Sequence, residues 1–374
     1  MKIALVSPYD YAYPGGVGAH ISHLYQQFTR MGHEVKIIAP CSSIRDIPFS
    51  QDVIPIGKPI PIYRRGTVAR VTLSPLLSRQ VKTILKQQQF EVIHLHEPLC
   101  PVLPLVVLDH SQSVNVGTFH AFHRSDMGYK YGRFILKRWF HKLNARIAVS
   151  KPARDFVSRY FPSHYDIIPN GISLEHFSAD VLPIEGFCDG KLNILFVGRL
   201  EKRKGLRYLL NAYREVKKET PNSRLIVVGP GDKARHEKMV RKSNLEDVVF
   251  TGYVTYEDLH RYYRTCDLFC APATGEESFG IVLLEAMAAS KPIVASKIEG
   301  YASVMSHGVG GLLVPPEDEQ ALAGALVHLL SDGSLRQEMG ARGRLEVEKY
   351  SWPNIAQRLI DYYASALRGF GSQP

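Results

Sequence analysis

The sequence predicts an α/β protein of two doubly wound, Rossmann-like domains, and three observations carry that reading. The chain has 374 residues, more than one core ordinarily serves. Short β-branched runs alternate with helical stretches along its length, the βαβα rhythm of a parallel sheet covered on both faces. That rhythm stops once, over 173–190 (SLEHFSADVLPIEGFCDG), and then restarts, which reads as an interdomain linker. The expected domains are therefore 1–172 and 191–351, with a closing helical segment over 352–374.

Each element follows from its run of residues. In the first half, strands are expected at 2–8, 34–40, 90–96, 114–120, 145–150 and 165–171, all continuous apolar runs of a length that suits a buried strand. Helices fit between them at 17–31, 75–89, 101–110, 130–143 and 152–161. In the second half, strands at 192–199, 223–229, 247–252, 267–272, 292–296 and 311–315 alternate with helices at 204–218, 233–243, 255–264, 279–290 and 317–331. Helices at 333–348 and 352–367 follow. The opening MKIALVSPYD breaks at Pro8 and has no small-residue cleavage site, so it reads as a first strand rather than a signal peptide. No run of about 18 apolar residues is present, which excludes a spanning helix.

Charge narrows the partners. The net charge is +10, and residues 1–180 hold 21 Lys and Arg against 12 Asp and Glu, whereas 181–374 hold 25 against 24. The first half is thus suited to an anionic partner such as phospholipid or a phosphorylated acceptor. Nucleic acid is disfavoured, because the basic residues are interleaved with strand cores and form no reader motif. The five cysteines are odd in number and lack a CxxC pair, and Cys266 and Cys270 flank a buried run. A reducing, cytoplasmic compartment is the expectation. The fifteen histidines show no metal-ligand spacing such as HExxH, so no metal is expected.

Ligands of open parallel sheets bind beyond the carboxyl ends of the strands, and four unusual segments sit there. Pro14-Gly15-Gly16-Val17-Gly18 follows the first strand and opens a helix, where glycines let backbone amides approach a phosphate. Arg199 and Lys204 stand in GRLEKRKG after the first strand of the second half, two cations where a diphosphate would sit. Gly275-Glu276-Glu277-Ser278-Phe279-Gly280 leads into an apolar helix containing Glu285. Ser278 is the expected N-cap there, and the amides of Phe279 and Gly280 are expected to meet an anion. His120 closes the strand GTFH. Ser74–Gln89 adds an amphipathic helix with Arg79, Lys82 and Lys86 on one side, a candidate to lie on an anionic bilayer.

Together, SPYDYAYPGGVGAH, HLHEP, GTFH, IAVS, IPNGI, FVGRLEKRKG, VGPG and EESFGIVLLEAMA resemble the family-4 retaining glycosyltransferases of the GT-B fold, over about 2–365. The PYD/PGGV start, TVARV and HLHEP are similar to the branch that transfers mannose to phosphatidylinositol. The resemblance implies two Rossmann-like domains facing a central cleft, with the final helix packed on the first. It implies a nucleotide-sugar donor, GDP-mannose in that branch, a phospholipid acceptor at the inner face of the membrane, and no cofactor or metal. Gly16, Arg199 and Lys204 would hold the donor diphosphate, and Glu277 with Ser278, Phe279 and Gly280 the donor sugar. Glu285 would hold the ribose, and His120 would lie near the reacting carbon. Tyr9 and Arg70 match positions near an inositol phosphate. The branch pattern further implies an Asn, a Thr and a Lys where this chain has Leu99, Ala121 and Ser125, and Arg124 stands one place from the Lys position. The alternatives are another lipid or soluble acceptor, such as diacylglycerol or a sugar phosphate, or a nucleotide-sugar 2-epimerase.

Overall fold

A computed structural model describes residues 1–44, 47–64, 67–74, 76–122, 127–178 and 180–371. The chain divides into two compact units, Met1–Gly171 with Trp352–Pro374, and Ile172–Ser351.

The first unit runs β1 (Lys2–Val6), α1 (Gly16–Arg30), β2 (Glu34–Ala39), β3 (Val53–Pro55), β4 (Pro59–Arg64), β5 (Thr67–Thr72), α2 (Leu77–Gln88), β6 (Val92–His96), α3 (Leu103–His110), β7 (Val114–Phe119), α4 (Met127–Phe140), β8 (Ala145–Ala148), α5 (Lys151–Ser158) and β9 (Asp166–Ile167). Seven strands make one sheet in the order β3-β2-β1-β6-β7-β8-β9, with every pairing parallel. Alternation on β1 shows why its residues from Ile3 to Val6 are all apolar: successive side chains point to opposite faces. Ile3 and Leu5 enter a core with Leu24 and Phe28 of α1. Ala4 and Val6 enter another with Leu77 of α2, Leu103 of α3 and Val157 of α5.

The second unit runs α6 (Leu174–Ser178), β10 (Leu192–Val197), α7 (Leu206–Glu219), β11 (Ser223–Val228), α8 (Lys233–Lys242), β12 (Val248–Gly252), α9 (Tyr256–Thr265), β13 (Leu268–Ala271), α10 (Ile281–Ala288), β14 (Ile293–Ser296), α11 (Glu299–Ala302), β15 (Gly311–Val314), α12 (Glu319–Ser331) and α13 (Gly333–Glu346). Its six parallel strands are ordered β12-β11-β10-β13-β14-β15. The last helix, α14 (Trp352–Gly371), belongs to the first unit, where Trp352, Ile355, Leu359 and Tyr363 join the α1 side of the core.

Three departures from the sequence reading have local causes. No strand was expected between 41 and 89, yet β4 and β5 form an antiparallel ribbon. Pro59 and Pro61 make that run read as non-strand, but a ribbon outside the main sheet tolerates their missing N–H groups. The strand expected at 165–171 pairs only through Asp166 and Ile167. Beyond them the chain meets α14, and a Cβ on Gly171 would fall 2.4 Å from the Trp352 ring, so only glycine fits. Residues 173–190, expected as a linker, lie within the second unit, where α6 buries Leu174 and Phe177 in the core.

Candidate active site

Each main sheet has a point where its strand order reverses, β1/β6 in the first unit and β10/β13 in the second. Loops leaving such neighbouring strands form a crevice at their carboxyl ends.

In the second unit, the chain leaves β10 through Arg199 into a 3₁₀ turn, Lys202–Lys204, before α7. Gly205 has φ 73°, and a Cβ there would lie 1.8 Å from the Pro272 carbonyl oxygen. The loops after β10 and β13 therefore touch backbone to backbone, and the Thr274 N–H donates to the Arg203 carbonyl at 2.8 Å. This approach presses cations onto carboxylates. Lys204 Nζ lies 2.8 Å from Glu277 Oε1, and Arg203 Nη1 lies 2.5 Å from the same oxygen. Arg203 also donates to the Glu276 carbonyl at 3.3 Å. Glu201 takes Arg203 at 2.9 Å and Arg199 at 3.1 Å. Three cations share two carboxylates, so positive charge is left over at a strand end.

Helix α10 adds its own dipole. Ser278 is not its N-cap: Gly280 is, with φ 107° and no side-chain cap. The turn needs a positive φ immediately before the helix, which glycine adopts freely and serine does not. A Cβ on Gly280 would also meet the Tyr301 ring at 2.7 Å. The Leu283 N–H of the first turn folds back on the Gly280 carbonyl at 2.9 Å, and the N–H groups of Ile281 and Val282, which precede the first intrahelical acceptor, favour an anion. Gly300 supports the loop from below, since a Cβ there would fall 2.1 Å from the Glu277 carbonyl oxygen. Phe279 sends its ring into the core, edge-on to Tyr350 at 5.8 Å. Within α10, Glu285 is buried and accepts a hydrogen bond from the Tyr263 hydroxyl at 2.7 Å. Burial pushes its carboxyl up to about 7, against the Tyr263 bond and the Lys204 charge, which pull the other way.

The first unit gathers histidines that lie far apart in sequence. Parallel pairing of β6 with β7 sets His96 beside Thr118. His96 Nδ1 then shares a hydrogen bond of 2.9 Å with His120 Nε2. His94 Nε2 meets Thr118 Oγ1 at 2.6 Å, and His94 Nδ1 meets the Tyr363 hydroxyl of α14 at 2.5 Å. His20 of α1 packs edge-on to His96, His120 and Trp352, with ring centroids 5.2, 5.0 and 5.1 Å away. Glu97 Oε1 accepts the backbone N–H groups of His120 and Ala121, each at 2.7 Å, which fixes the turn after β7. Burial, the largest cause, and then neighbouring imidazoles hold all four rings in the neutral form. His94 and His120 are depressed to about 3, and His20 and His96 fall well below the usual range.

Among the described residues, one group could hold a metal ion: ring nitrogens of His20, His96 and His120 lie within 4.8 Å of one another. Sequence spacing could not show it, since one ring comes from α1, one from the end of β6 and one from the residue just past β7. His96 Nδ1 and His120 Nε2 already bond to each other, so those two atoms are occupied by the hydrogen-bond chain.

The profile described as glycosyltransferase family 4 matches residues 14–176, and that of glycosyl transferases group 1 matches 182–346. A phosphatidyl-myo-inositol mannosyltransferase of Mycobacterium leprae is 35% identical over 367 residues, covering 97% of this chain and 96% of the relative. The chain is a family-4 glycosyltransferase. Solved structures agree on the GT-B fold of two Rossmann-like units. Sucrose-phosphate synthase from Thermosynechococcus elongatus superposes with a TM-score of 0.77 at 23% identity, covering 98% of this chain and 99% of that one. Anabaena HepE in complex with UDP superposes with a TM-score of 0.78 at 18% identity, covering 98% and 100%.

The remaining expected residues of this glycosyltransferase are distributed as follows. Gly16 is the first residue of α1, and a Cβ there would meet nothing within 4 Å. Tyr9 forms an antiparallel bridge with Val71, which brings it next to Arg70. The Arg70 guanidinium lies 4.3 Å over the Tyr13 ring, and its Nε is buried with no hydrogen-bond partner among the described residues. Leu99 is 2% exposed, in the core. Arg124 and Ser125 fall outside the described residues. Arg79, Lys82 and Lys86 are exposed on α2, but Leu77 and Val81 of that helix are buried against the sheet, with Ile84 and Leu85 packed beside them. The apolar side expected to meet a bilayer is therefore spent in the core. Among the described residues no helix is long and apolar enough to cross a membrane.

Sequence reasoning missed Arg203, although it stands inside the quoted GRLEKRKG; its signal is only its place in a run of charge. His94, His96 and Glu97 were quoted in HLHEP without a role, because their partners come from β7 and α14.

Proposed function

We propose that this glycosyltransferase moves mannose from GDP-mannose, with retention of configuration, to a phosphatidylinositol-type lipid at the inner face of the membrane. The observation that carries the reading is 35% identity over nearly the whole chain to an enzyme named as a phosphatidyl-myo-inositol mannosyltransferase. The surplus of cations around Glu277 supports it.

In the proposed reaction the bond between the anomeric carbon and the phosphate oxygen breaks, and the diphosphate leaves with the electron pair. The acceptor hydroxyl attacks from the same face, and its proton passes to the departing phosphate oxygen. Arg199 and Lys204, with Arg203 behind them and the first-turn amides of α10, stabilise the charge developing on the diphosphate. Such preorganised donors are usually the largest contribution to catalysis of this kind. Glu277 takes donor sugar hydroxyls, Glu285 the ribose, and Gly16 leaves room for the diphosphate. His120, kept neutral and fixed by His96 and Glu97, lies against the sugar. On the acceptor side, the unpartnered Nε of Arg70 suits a phosphate, since a buried donor without a partner is destabilising.

One observation favours a second reading. Leu99 is buried and apolar where the lipid-inositol pattern has a hydrogen-bonding Asn, so the same chemistry on another lipid or a soluble acceptor is the alternative. A donor-by-acceptor matrix with mass-spectrometric identification of products decides. It should pair GDP-mannose and UDP-hexoses with phosphatidylinositol, inositol phosphate and diacylglycerol. Mannosylated phosphatidylinositol is the expected product. Transfer only to another acceptor establishes the second reading, and appearance of the C2-epimeric sugar with every acceptor omitted points to an epimerase.

A further inference from the structure

The helix α4 has two apolar faces, and the core uses only one of them. Phe140 is buried, and Tyr129, Leu136 and Trp139 pack against the same core cluster. On the opposite side, Met127, Tyr131, Phe134 and Ile135 are 66, 72, 76 and 69% exposed. Their spacing of three, four and seven or eight residues makes a continuous stripe along the helix. A large apolar patch turned to solvent marks an interaction site more often than chance.

The edge of the stripe says what the partner is. Lys130, Arg133 and Lys137 follow one another at intervals of three and four and line one side of it, and Arg138 closes its end. Helix α4 contains no acidic residue (MGYKYGRFILKRWF), and among the described residues no ion pair includes Lys130, Arg133 or Lys137. The Arg133 guanidinium lies 4.7 Å over the Phe134 ring, and Lys130 Nζ lies 5.7 Å over that of Tyr131. Aromatic and aliphatic side chains bordered by snorkelling cations are the composition of a helix lying in a membrane interface. A second copy of the chain is a poorer partner, because it would bring like charges together with no carboxylate on α4 to answer them.

Two further observations agree. Helices α2, α3 and α4 share one core cluster on one face of the sheet, so the exposed cations Arg79, Lys82 and Lys86 belong to the same helical layer as the stripe. Only six residues of chain separate His120 from Met127, which keeps the stripe within short reach of the strand end where an acceptor would arrive.

We infer that α4 is the membrane-docking element: Met127, Tyr131, Phe134 and Ile135 enter the headgroup boundary of an anionic bilayer while Lys130, Arg133 and Lys137 meet lipid phosphates. This rests on the reading of a lipid acceptor and specifies how the enzyme reaches it.

The test is flotation of the full-length protein with vesicles of phosphatidylcholine alone or with phosphatidylglycerol, at low and high salt. Wild type should float with the anionic vesicles. The combined variant Tyr131→Ser, Phe134→Ser, Ile135→Ser should bind them at least about tenfold more weakly, since the buried apolar area sets the affinity. Lys130→Glu with Lys137→Glu should abolish the preference for phosphatidylglycerol. Because all five side chains are exposed, each variant should keep the wild-type melting temperature and circular dichroism. Equal flotation of the serine variant and wild type overturns the proposal. So does a wild-type protein that self-associates in sedimentation and becomes monomeric on the serine substitutions. Flotation needs no substrate, so failure of the acceptor reading is seen separately. A protein that docks through α4 yet transfers nothing to phosphatidylinositol loses the reading and keeps the docking.

Discussion

The two units both bury ionisable groups, but of opposite kinds. The first unit encloses His20, His94, His96 and His120 as neutral imidazoles. The second encloses Glu285 as a carboxyl raised to about 7. A histidine depressed by folding adds stability that is present above its unfolded pKa near 6.5 and is lost as pH falls towards about 3. A glutamate raised by folding adds stability that is present below about 4.5 and is lost as pH rises through about 7. Ion-paired carboxylates such as Asp52 and Asp109 in the first unit and Asp247 in the second are held below the usual range by their lysine partners. They weaken both units only in stronger acid. Between about pH 4.5 and 6.5, acid should therefore loosen the first unit, while in the second the gain from Glu285 is partly offset by His176, whose imidazole is held below its usual value by burial. The candidate site of the second unit is built on ion pairs of Lys204 and Arg203 with Glu277, whereas the histidines of the first are joined by hydrogen bonds to one another, to Thr118 and to Tyr363.

The largest effect that would break this division is catalytic. Replacing Arg199, Lys204 or Glu277 by alanine should each lower kcat by roughly a hundredfold or more, measured by steady-state transfer. Wild-type turnover in any of the three removes that side chain from the reacting site. Next comes the pH contrast itself. Both tryptophans, Trp139 and Trp352, lie in the first unit, so their fluorescence follows that unit alone while circular dichroism follows both. The urea midpoint by fluorescence should fall as pH is lowered from 7 to 5, each buried imidazole contributing up to about 1.4 kcal/mol per pH unit. A midpoint that does not move would mean the rings protonate in place. Smaller is Glu285→Gln, which keeps an acceptor for Tyr263. It should stabilise the second unit at pH 8 by about 3 kcal/mol at most, with no gain below pH 4.5, read from the part of the circular dichroism transition that fluorescence does not share. Smallest is Tyr363→Phe. Losing the bond to His94 should cost the fluorescence-monitored transition about 1 kcal/mol and leave the second unit unchanged.

Much of this was legible in the residues. Strands such as Leu192–Val197 and Ser223–Val228 end in continuous apolar runs, 194–197 and 225–228, because both faces are covered, and such a run survives any error of register. Arg199, Lys204 and Glu277 stand out in the sequence because they lie in the loops that follow strands, and the structure brings Lys204 onto Glu277. Other features depend on what the fold brings from elsewhere. Ser278 resembles a cap, but the close Tyr301 ring and a positive φ require Gly280. Helix α2 looks amphipathic enough for a bilayer, but whether an apolar face is free depends on the sheet beneath it. Helix α4 carries apolar residues on two sides, and only burial separates the stripe that packs from the stripe that does not. The histidines converge through β6–β7 register and the return of α14, neither of which has a local signature.

That return bears on how the protein is made. Trp352, Ile355, Leu359 and Tyr363 complete the core of the first unit, yet they leave the ribosome after nearly everything else. The segment Ile172–Ser351 is contiguous and can close on itself while the nascent chain is still tethered. The earlier-synthesised half must wait, with the α1 side of its sheet uncovered, until Trp352 and the residues of α14 have been made. The first unit is thus completed only after the second has been synthesised, which departs from the usual amino-terminal-first order of co-translational folding.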